Sequence, residues 1–394
     1  MPGSSATPTK RRPQRLTLRR PSTATRATCS KTTCARCSPP WKSTRARVRP
    51  VGLFRAKTEH PTPLDGVDAV LADLDGVVYA GAHAIPRAVE SLNLAKRDRA
   101  VGYITNNASR SDASVAGHLA ELGLDVVAAD VVTSPQAAMA LLAEQVAPGA
   151  LVFVVGGEGI TSELEKRGYR ITRSADDAPE AVVQGFAPEL GWRELAEASF
   201  ALTATGGPDG ASTGIPWIAT NMDWTIPVAR GIAPGNGTLV SAVHTAVGRF
   251  PLVAGKPETP IFDEARRRFG AEQPLMVGDR LDTDILGARR AGMLSALVLT
   301  GIDTAKQVLA APESSRPDFI LADLDGLHAP YPATEQVRGG VTRVGSARVR
   351  MSGNRVEIVD DGDDRLDLLR AACAAIWGSG MGIHVLDVPA RLYS

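Results

Sequence analysis

The sequence predicts an α/β fold, with a Rossmann-like parallel-sheet core, an inserted α/β cap domain and a small C-terminal α+β unit. Three observations lead to this prediction. From about residue 64, short apolar runs alternate with helical patterns, which is typical of a parallel sheet with helices on both faces. The segment 151–250 is rich in Gly and Pro and interrupts this alternation. After residue 335, a hairpin signal is followed by an amphipathic helical pattern.

These patterns give the expected boundaries of the domains and of the core elements. We expect the core at 64–150 and 251–330, the cap at 151–250, the C-terminal unit at 335–394 and a disordered basic tail at 1–58. The predicted core strands are Val67–Leu74, Ala100–Thr105, Val131–Ser134, Leu252–Ala254, Leu275–Val277 and Ser295–Leu299. The predicted core helices are Ser111–Leu122, Pro135–Val146, 260–269 and 282–291.

The cap and the C-terminal unit have patterns of their own. Cap elements are predicted at Leu151–Val155, 159–168, Ala181–Gln184, 190–200 and Gly237–Val247. In the C-terminal unit we expect a hairpin of Arg343–Met351 and Arg355–Val359, a helix at Arg365–Trp377 and a strand at Ile383–Val388. Ligands bind outside the carboxyl ends of parallel strands, so a domain inserted there would act as a lid.

The net charge of +1 conceals two different regions. Residues 1–58 contain 15 Lys+Arg and no Asp or Glu, whereas the remainder contains 29 Lys+Arg against 43 Asp+Glu. The tail has few large apolar residues, so we expect it to be disordered. A start codon assigned too far upstream is the favoured interpretation; a transit peptide and a nucleic-acid-binding arm are the alternatives. We do not expect nucleic acid as a partner.

Cysteine usage and hydropathy indicate the compartment. Cys29, Cys34 and Cys37 lie in the tail without a fourth ligand nearby, which argues against a zinc site. Cys373 is the single cysteine of the body, so there is no disulfide framework and we expect a reducing, cytoplasmic location. No apolar run reaches about 18 residues, the length of a membrane span. Homo-oligomerisation is left open.

The stretch "VLADLDGVVYAG" ends a predicted buried strand in two carboxylates, Asp73 and Asp75. Strand side chains alternate between faces, so both carboxylates point to the same side. Two like charges at this distance favour a bound cation such as Mg2+. An Asx-rich turn is the alternative, and an EF-hand loop is excluded because no Glu closes the loop. The phrase "LADLDG" recurs at Leu321–Gly326.

Three further polar motifs follow predicted strands. Thr105-Asn106-Asn107 offers a hydroxyl, an amide and backbone N–H groups suited to a phosphate. Lys256 is one of four lysines in residues 59–394, against 25 arginines, which indicates a need for a compact ammonium group. Gly278-Asp279 begins a third acidic turn that continues to Asp284. Each motif also has an ordinary reading as a turn, a surface residue or a helix start.

In this order, the four motifs resemble those of the haloacid dehalogenase superfamily of phosphatases, over roughly residues 64–330. The phrases "ITNNASRS", "ATNMDWTIP", "GIAPGNGT", "AGKPETPIF" and "VGDRLDTDILGARRAGM" resemble its p-nitrophenyl phosphatase and phosphoglycolate phosphatase branch. With its added C-terminal unit, the chain resembles bacterial glycerol-3-phosphate phosphatases. That unit looks like a reduced acetyltransferase half-domain without the Gly-rich loop that would hold coenzyme A, so we assign it no acetyl transfer.

The resemblance implies roles for these residues. Asp73 would be the nucleophile that forms an aspartyl-phosphate, and Asp75 would be the general acid and base. Mg2+ would be held by the Asp73 carboxylate, the Asp75 main-chain carbonyl and Asp279, with Asp284 ordering its waters. Thr105 and Asn106 would bind the phosphoryl group, and Lys256 would offset its charge. The copy at 323–325 is expected to be only a helix-starting turn, because the supporting motifs precede it.

The implied function is magnesium-dependent hydrolysis of a small phosphorylated metabolite. Asn221 and Asp223 can pair with alcohol hydroxyls. A carboxylate-bearing substrate would instead need a cationic partner, and Arg230 is the only cation in the segment 221–230. Glycerol 3-phosphate is therefore the favoured substrate. Phosphoglycolate and pyridoxal phosphate are the alternative substrates. A phosphotransferase and a non-catalytic phospholigand-binding protein are the alternative classes.

Overall fold

The computed structural model describes residues 61–203, 214–228 and 230–394. The predicted tail and its three cysteines lie outside these residues. The α-helices are Ala88–Ala95, Asp112–Glu121, Ser134–Gln145, Glu158–Lys166, Trp192–Thr203, Asn236–Val247, Pro260–Phe269, Leu286–Arg290, Ala305–Leu309 and Arg365–Ser379. None of the helices in this part of the chain combines the length and the hydropathy that crossing a membrane requires.

The first sheet is the core, and its six strands are all parallel. Their spatial order is Phe319–Leu321, Leu294–Val298, Pro274–Gly278, Ala69–Ala72, Ala100–Thr105 and Val131–Thr133. The central strand Ala69–Ala72 is fully buried, as expected for a sheet covered on both faces. The helices beside this sheet begin at conventional caps. Ser111 accepts a hydrogen bond from the Ser114 N–H, and Thr133 forms a capping box with Gln136.

The second sheet is also parallel and has five strands. Their order is Leu252–Val253, Trp217–Ala219, Ala181–Gln184, Leu151–Val155 and Arg170–Thr172. The sequence pattern placed Leu252–Ala254 among the core strands, but this strand pairs with Trp217–Ala219 instead. Two hairpins lie outside the larger sheets: Tyr79–Ala80 with His83–Ala84, which follows the core strand Ala69–Ala72, and Thr225–Val228 with Gly231–Pro234.

The third extended sheet, near the C-terminus, is antiparallel. Its strands are Thr334–Val337, Val341–Val344, Ala347–Ser352 and Arg355–Asp360. The predicted run Arg343–Met351 is divided by a turn at Gly345, which has a φ of 54°. The predicted strand Ile383–Val388 is wrong, because Ile383–Val385 forms a 3-10 turn. Ile383 and Leu386 are three residues apart, and both pack on the apolar cluster around the last helix.

The last helix is attached to the outermost core strand, Phe319–Leu321. The Arg370 guanidinium donates two hydrogen bonds to the Ile320 carbonyl, at 3.0 and 2.7 Å. The Ile320 N–H donates to the Tyr331 hydroxyl at 3.0 Å, and Arg370 lies over the Tyr331 ring at 4.3 Å. Both main-chain groups of Ile320 are therefore bonded to side chains.

Candidate active site

Most of the predicted motifs meet at the carboxyl edge of the core sheet. Asp73 directly follows the strand Ala69–Ala72, Thr105 ends its strand, and Asp279 follows Pro274–Gly278. These three strands are neighbours or next neighbours, so the residues after them lie close together. This edge is where a parallel sheet places its ligand.

Lys256 is the cation at the centre of the site. Its Nζ lies 2.7 Å from Asp73 Oδ1 and 2.7 Å from Asp284 Oδ1, and the side chain is only 3% exposed. Burial alone would lower the pKa of Lys256, but Asp284 and Asp73 together raise it above its usual value. The lysine is therefore held charged between the two carboxylates.

Three carboxylates converge around this lysine. Asp73, Asp279 and Asp284 each place an oxygen within 4.8 Å of the others. Asp279 Oδ2 accepts the Ile302 N–H at 2.7 Å, while the buried Oδ1 has no hydrogen-bond partner among the described residues. Burial raises the pKa of Asp279 to about 7, and repulsion by Asp284 and Asp73 adds to this rise. One lysine cannot balance three carboxylates, so the donor set suits an oxygen-seeking divalent cation.

Asp284 reaches the cluster through a local distortion of its helix. The predicted helix 282–291 begins as a π-turn, Leu281–Ile285, and becomes α-helical at Leu286–Arg290. Such turns often occur at functional sites. Asp284 is fully buried, and its Oδ2 accepts the Arg280 N–H at 3.1 Å. Burial raises the pKa of Asp284, although Lys256 opposes this effect.

Asp75 lies beside the cluster and is exposed. Although part of Asp75 is exposed, the protein around it removes some of the water that would solvate its charge and so raises its pKa, while Lys256 and Arg110 partly counteract this effect. A carboxyl group with a raised pKa is suited to donate a proton. The chain turns away at Gly76, where φ is 80° and a Cβ would lie 2.4 Å from Asp279 Oδ2. This position therefore requires glycine.

The remaining predicted residues differ in their placement. Thr105 is buried, and its Oγ1 accepts the Asn107 N–H at 3.0 Å. Asp223 Oδ1 accepts from Asn106 Nδ2 at 3.0 Å, which joins the 221–223 segment to the site. Asn221 is buried and uses both ends of its amide internally, in bonds to the Asn106 carbonyl and the Asp223 N–H. Arg230 is exposed in the Thr225–Pro234 hairpin.

Family models match three parts of this chain. The model described as haloacid dehalogenase-like hydrolase matches residues 70–170, a second HAD-hydrolase-like model matches 253–327, and a GCN5-related N-acetyltransferase like domain matches 345–391. The D-glycerol 3-phosphate phosphatase of Mycobacterium tuberculosis is 42% identical over 320 residues, covering 79% of this chain and 86% of that protein. The chain belongs to the haloacid dehalogenase-like hydrolases.

Other comparisons agree with this assignment. Chronophin of Rattus norvegicus is 34% identical over 299 residues, covering 70% of this chain and 94% of that protein. The crystal structure of glycerol phosphate phosphatase from M. tuberculosis in complex with magnesium has a TM-score of 0.72 and 38% identity, covering 83% of this chain and 95% of that one. The p-nitrophenyl phosphatase from Archaeoglobus fulgidus has a TM-score of 0.59 and 29% identity, covering 66% and 98%. The predicted family, the α/β fold class and the acetyltransferase-like C-terminal region are confirmed.

The carboxylates of the second "LADLDG" copy of this hydrolase are not members of the carboxylate cluster found among the described residues. Asp323 caps a short 3-10 helix, Leu324–Leu327, and accepts the Asp325 N–H at 2.9 Å. Asp325 accepts from Ser91 Oγ at 2.9 Å and pairs with Arg87. The copy is the helix-starting turn that its place in the chain predicted.

Sequence reasoning missed one loop that supports the site. Thr300 Oγ1 donates to the Gly76 carbonyl at 2.6 Å, and the Ile302 N–H donates to Asp279. Asp303 Oδ2 accepts the Leu281 N–H at 2.6 Å, which fixes the start of the π-turn. The loop follows the core strand Leu294–Val298 at the same edge of the sheet. That position after a strand was the signal that could have identified it.

Proposed function

We propose that this protein is a magnesium-dependent phosphatase that hydrolyses a small phosphate monoester, with glycerol 3-phosphate as its preferred substrate. The observation that carries the proposal is the buried Lys256 held between Asp73 and Asp284, beside Asp279. A nucleophilic carboxylate, a fixed ammonium group and an excess of acidic oxygens are the parts that phosphoryl transfer requires. The phosphatases among the relatives support the same reaction class.

The acidic cluster fits Mg2+. The Asp73 and Asp279 carboxylates and the Asp75 carbonyl would hold the ion, and Asp284 would order its waters. When bound, Mg2+ would neutralise the carboxylates and draw charge from the phosphoryl oxygens. The free buried oxygen of Asp279 is the feature of this chain that fits such an ion best. A solved relative that contains magnesium supports this choice of metal.

The protein groups would act in two steps. Asp73 attacks phosphorus, the bond to the alcohol oxygen breaks, and Asp75 gives its proton to the leaving alcohol. Asp75 then takes a proton from water, and the water oxygen attacks the aspartyl-phosphate to release inorganic phosphate and free Asp73. Lys256 offsets the negative charge of the phosphoryl group throughout, while Thr105 and the following backbone hold it in place.

Substrate choice rests on the segment 221–230. Asp223 uses Oδ1 to accept from Asn106, and no described donor bonds to its Oδ2, which can therefore accept from an alcohol hydroxyl. Arg230, the cation that would favour a carboxylate-bearing substrate, is exposed in its hairpin. A hydroxyl-bearing substrate such as glycerol 3-phosphate is thus the better match. The buried, unpaired Cys373 supports a reducing, cytoplasmic location.

Phosphate release tests the proposal directly. Glycerol 3-phosphate, phosphoglycolate and pyridoxal phosphate are supplied singly, with and without Mg2+, and kcat/KM is measured for each. We expect Mg2+-dependent turnover that is fastest for glycerol 3-phosphate. A tenfold higher kcat/KM for either competitor, about 1.4 kcal/mol in transition-state binding, would refute the choice of substrate but not the phosphatase mechanism. Turnover only with an added acceptor alcohol would indicate a phosphotransferase, and binding without turnover would indicate a phospholigand-binding protein.

A further inference from the structure

The two sheets contribute different parts of the site. Asp73 and Thr105 follow strands of the core sheet, whereas Lys256 follows Leu252–Val253, which pairs in the second sheet. The ammonium group must therefore be held in position across the boundary between the two sheets. Because Lys256 does not follow a core strand, its main chain takes no part in the hydrogen bonding of the core sheet.

Asn106 makes that connection with its side-chain amide. Its Oδ1 accepts the Lys256 N–H at 2.8 Å, and its Nδ2 donates to the Lys256 carbonyl at 3.0 Å. The second Nδ2 proton is donated to Asp223 Oδ1 at 3.0 Å. Both amide protons are thus used within the protein, so the Asn106 side chain has none left for a phosphoryl oxygen.

The surroundings of Asn106 hold this amide in one orientation. The main-chain carbonyl of Asn106 accepts hydrogen bonds from Asn221 Nδ2 at 2.7 Å and from Ser134 Oγ at 2.8 Å. Gly255 passes so close that a Cβ there would lie 2.5 Å from Asn106 Oδ1. The residue Asn106 is only 9% exposed, so water cannot readily replace the lost bonds if the amide is removed.

We propose that Asn106 is a positioning residue that sets both Lys256 and Asp223 with one amide. It acts on the phosphoryl group through Lys256 and on the alcohol portion of the substrate through Asp223. This inference rests on the proposed phosphatase function and refines the sequence prediction that Asn106 itself binds the substrate. The alternative is a purely structural role, in which the bonds of Asn106 affect folding alone.

The two roles differ in their kinetic signature. In Asn106→Ala, Lys256 loses both main-chain anchors, so kcat should fall about 100-fold for every monoester, the effect of a small misplacement at a reacting centre. KM should rise only for glycerol 3-phosphate, because p-nitrophenyl phosphate has no alcohol hydroxyl for Asp223 to accept. A purely structural lesion would not separate the two substrates in this way.

Asn93→Ala is the matched control. Asn93 also bonds main-chain groups with both ends of its amide, donating to the Gly123 carbonyl at 3.0 Å and accepting the Asp125 N–H at 2.9 Å. It connects surface segments outside the site described above. Its removal should lower stability without changing kcat/KM for either substrate.

A double-mutant cycle tests the Asp223 half of the proposal. Asp223→Ala should raise KM for glycerol 3-phosphate in the wild-type background but have no further effect in Asn106→Ala, because Asp223 has already lost its anchor. Additive effects would overturn the proposal. Asn106→Asp keeps the side-chain size and replaces the amide donor by a carboxylate facing Asp223. It should share the KM defect if folded, as circular dichroism would show, and wild-type kinetics in this variant would also overturn the proposal.

The experiments distinguish a failure of the role proposed for Asn106 from a failure of the proposed phosphatase function. A wild-type protein that releases no phosphate from any monoester would remove the phosphatase proposal itself. A wild-type protein that is active, with Asn106→Ala no more impaired than Asn93→Ala, would remove only the role of Asn106.

Discussion

Replacing Lys256 by methionine should destabilise the protein in a way that depends on pH. Methionine keeps an unbranched apolar side chain, one heavy atom shorter than that of lysine, and removes the ammonium group that lies 2.7 Å from both Asp73 and Asp284. Breaking a buried ion pair by removing one partner costs about 3–5 kcal/mol, because a buried charge is left uncompensated. We expect a loss of that size in the free energy of unfolding at pH 8 without Mg2+.

The pH dependence follows from the carboxylates. Burial already raises the pKa of Asp73 and Asp284, and without Lys256 their pKa values rise further. A carboxyl group whose pKa is raised in the folded state destabilises that state at high pH, and the cost disappears as falling pH protonates the group. Lys256 in the wild type stays charged in this range. The difference in the free energy of unfolding between variant and wild type should therefore become smaller from pH 8 to pH 6.

Urea denaturation followed by circular dichroism measures this difference at each pH. Lys306→Met is the matched control, since Lys306 is exposed and its ammonium group makes a surface cation–π contact with Tyr393, 5.7 Å from the ring centroid, instead of a buried ion pair. Mg2+ should restore more stability to Lys256→Met than to the wild type, because the ion meets no competing ammonium group. A loss below about 1 kcal/mol at pH 8, the size typical of surface ion pairs, would refute this account of Lys256.

Three other predictions follow. Asp73→Asn should abolish phosphate release with an unchanged circular dichroism spectrum. Asp323→Asn should stay active, because Asp323 only caps its own turn; the reverse result would show that the second "LADLDG" segment, not the first, supplies the nucleophile. The dissociation constant for Mg2+, measured calorimetrically from pH 8 to pH 6, should rise as pH falls through about 7, where Asp279 takes up a proton, and a constant value would contradict this. Arg370→Ala should cost about 1–3 kcal/mol in urea denaturation by leaving the Ile320 carbonyl unbonded, while the exposed Arg365→Ala should cost little.

Much of the fold and the carboxylate motifs could be predicted because both depend on short, continuous stretches of the sequence. Asp73 and Asp279 each follow a short apolar run at a strand end, and the order of the motifs along the chain distinguished Asp73 from Asp323. Strand Ala100–Thr105 has the bounds that its pattern predicts. The domain bounds, the roles of the individual site residues and the oligomeric state stay predictions.

The features that escaped prediction depend on long-range pairing. The pattern of Leu252–Val253 suits either parallel sheet, and only its pairing with Trp217–Ala219 assigns it to the second. Within the loop 300–303, Ile302 bonds Asp279 through its main-chain N–H, a group that every non-proline residue has. Asn106 follows a strand as a phosphate ligand would, yet its bonds reach Lys256, which is 150 residues away in sequence.

The attachment of the last helix to the strand Phe319–Leu321 also bears on self-association. An outermost strand normally offers free N–H and C=O groups on which another chain can add a strand and begin to aggregate. At Ile320 the Tyr331 hydroxyl and the Arg370 guanidinium already bond both groups. Tyr331 and, from the acetyltransferase-like region, Arg370 thus occupy the two main-chain groups of Ile320 with which an added strand would pair, and neither contact needs a coenzyme or a catalytic residue.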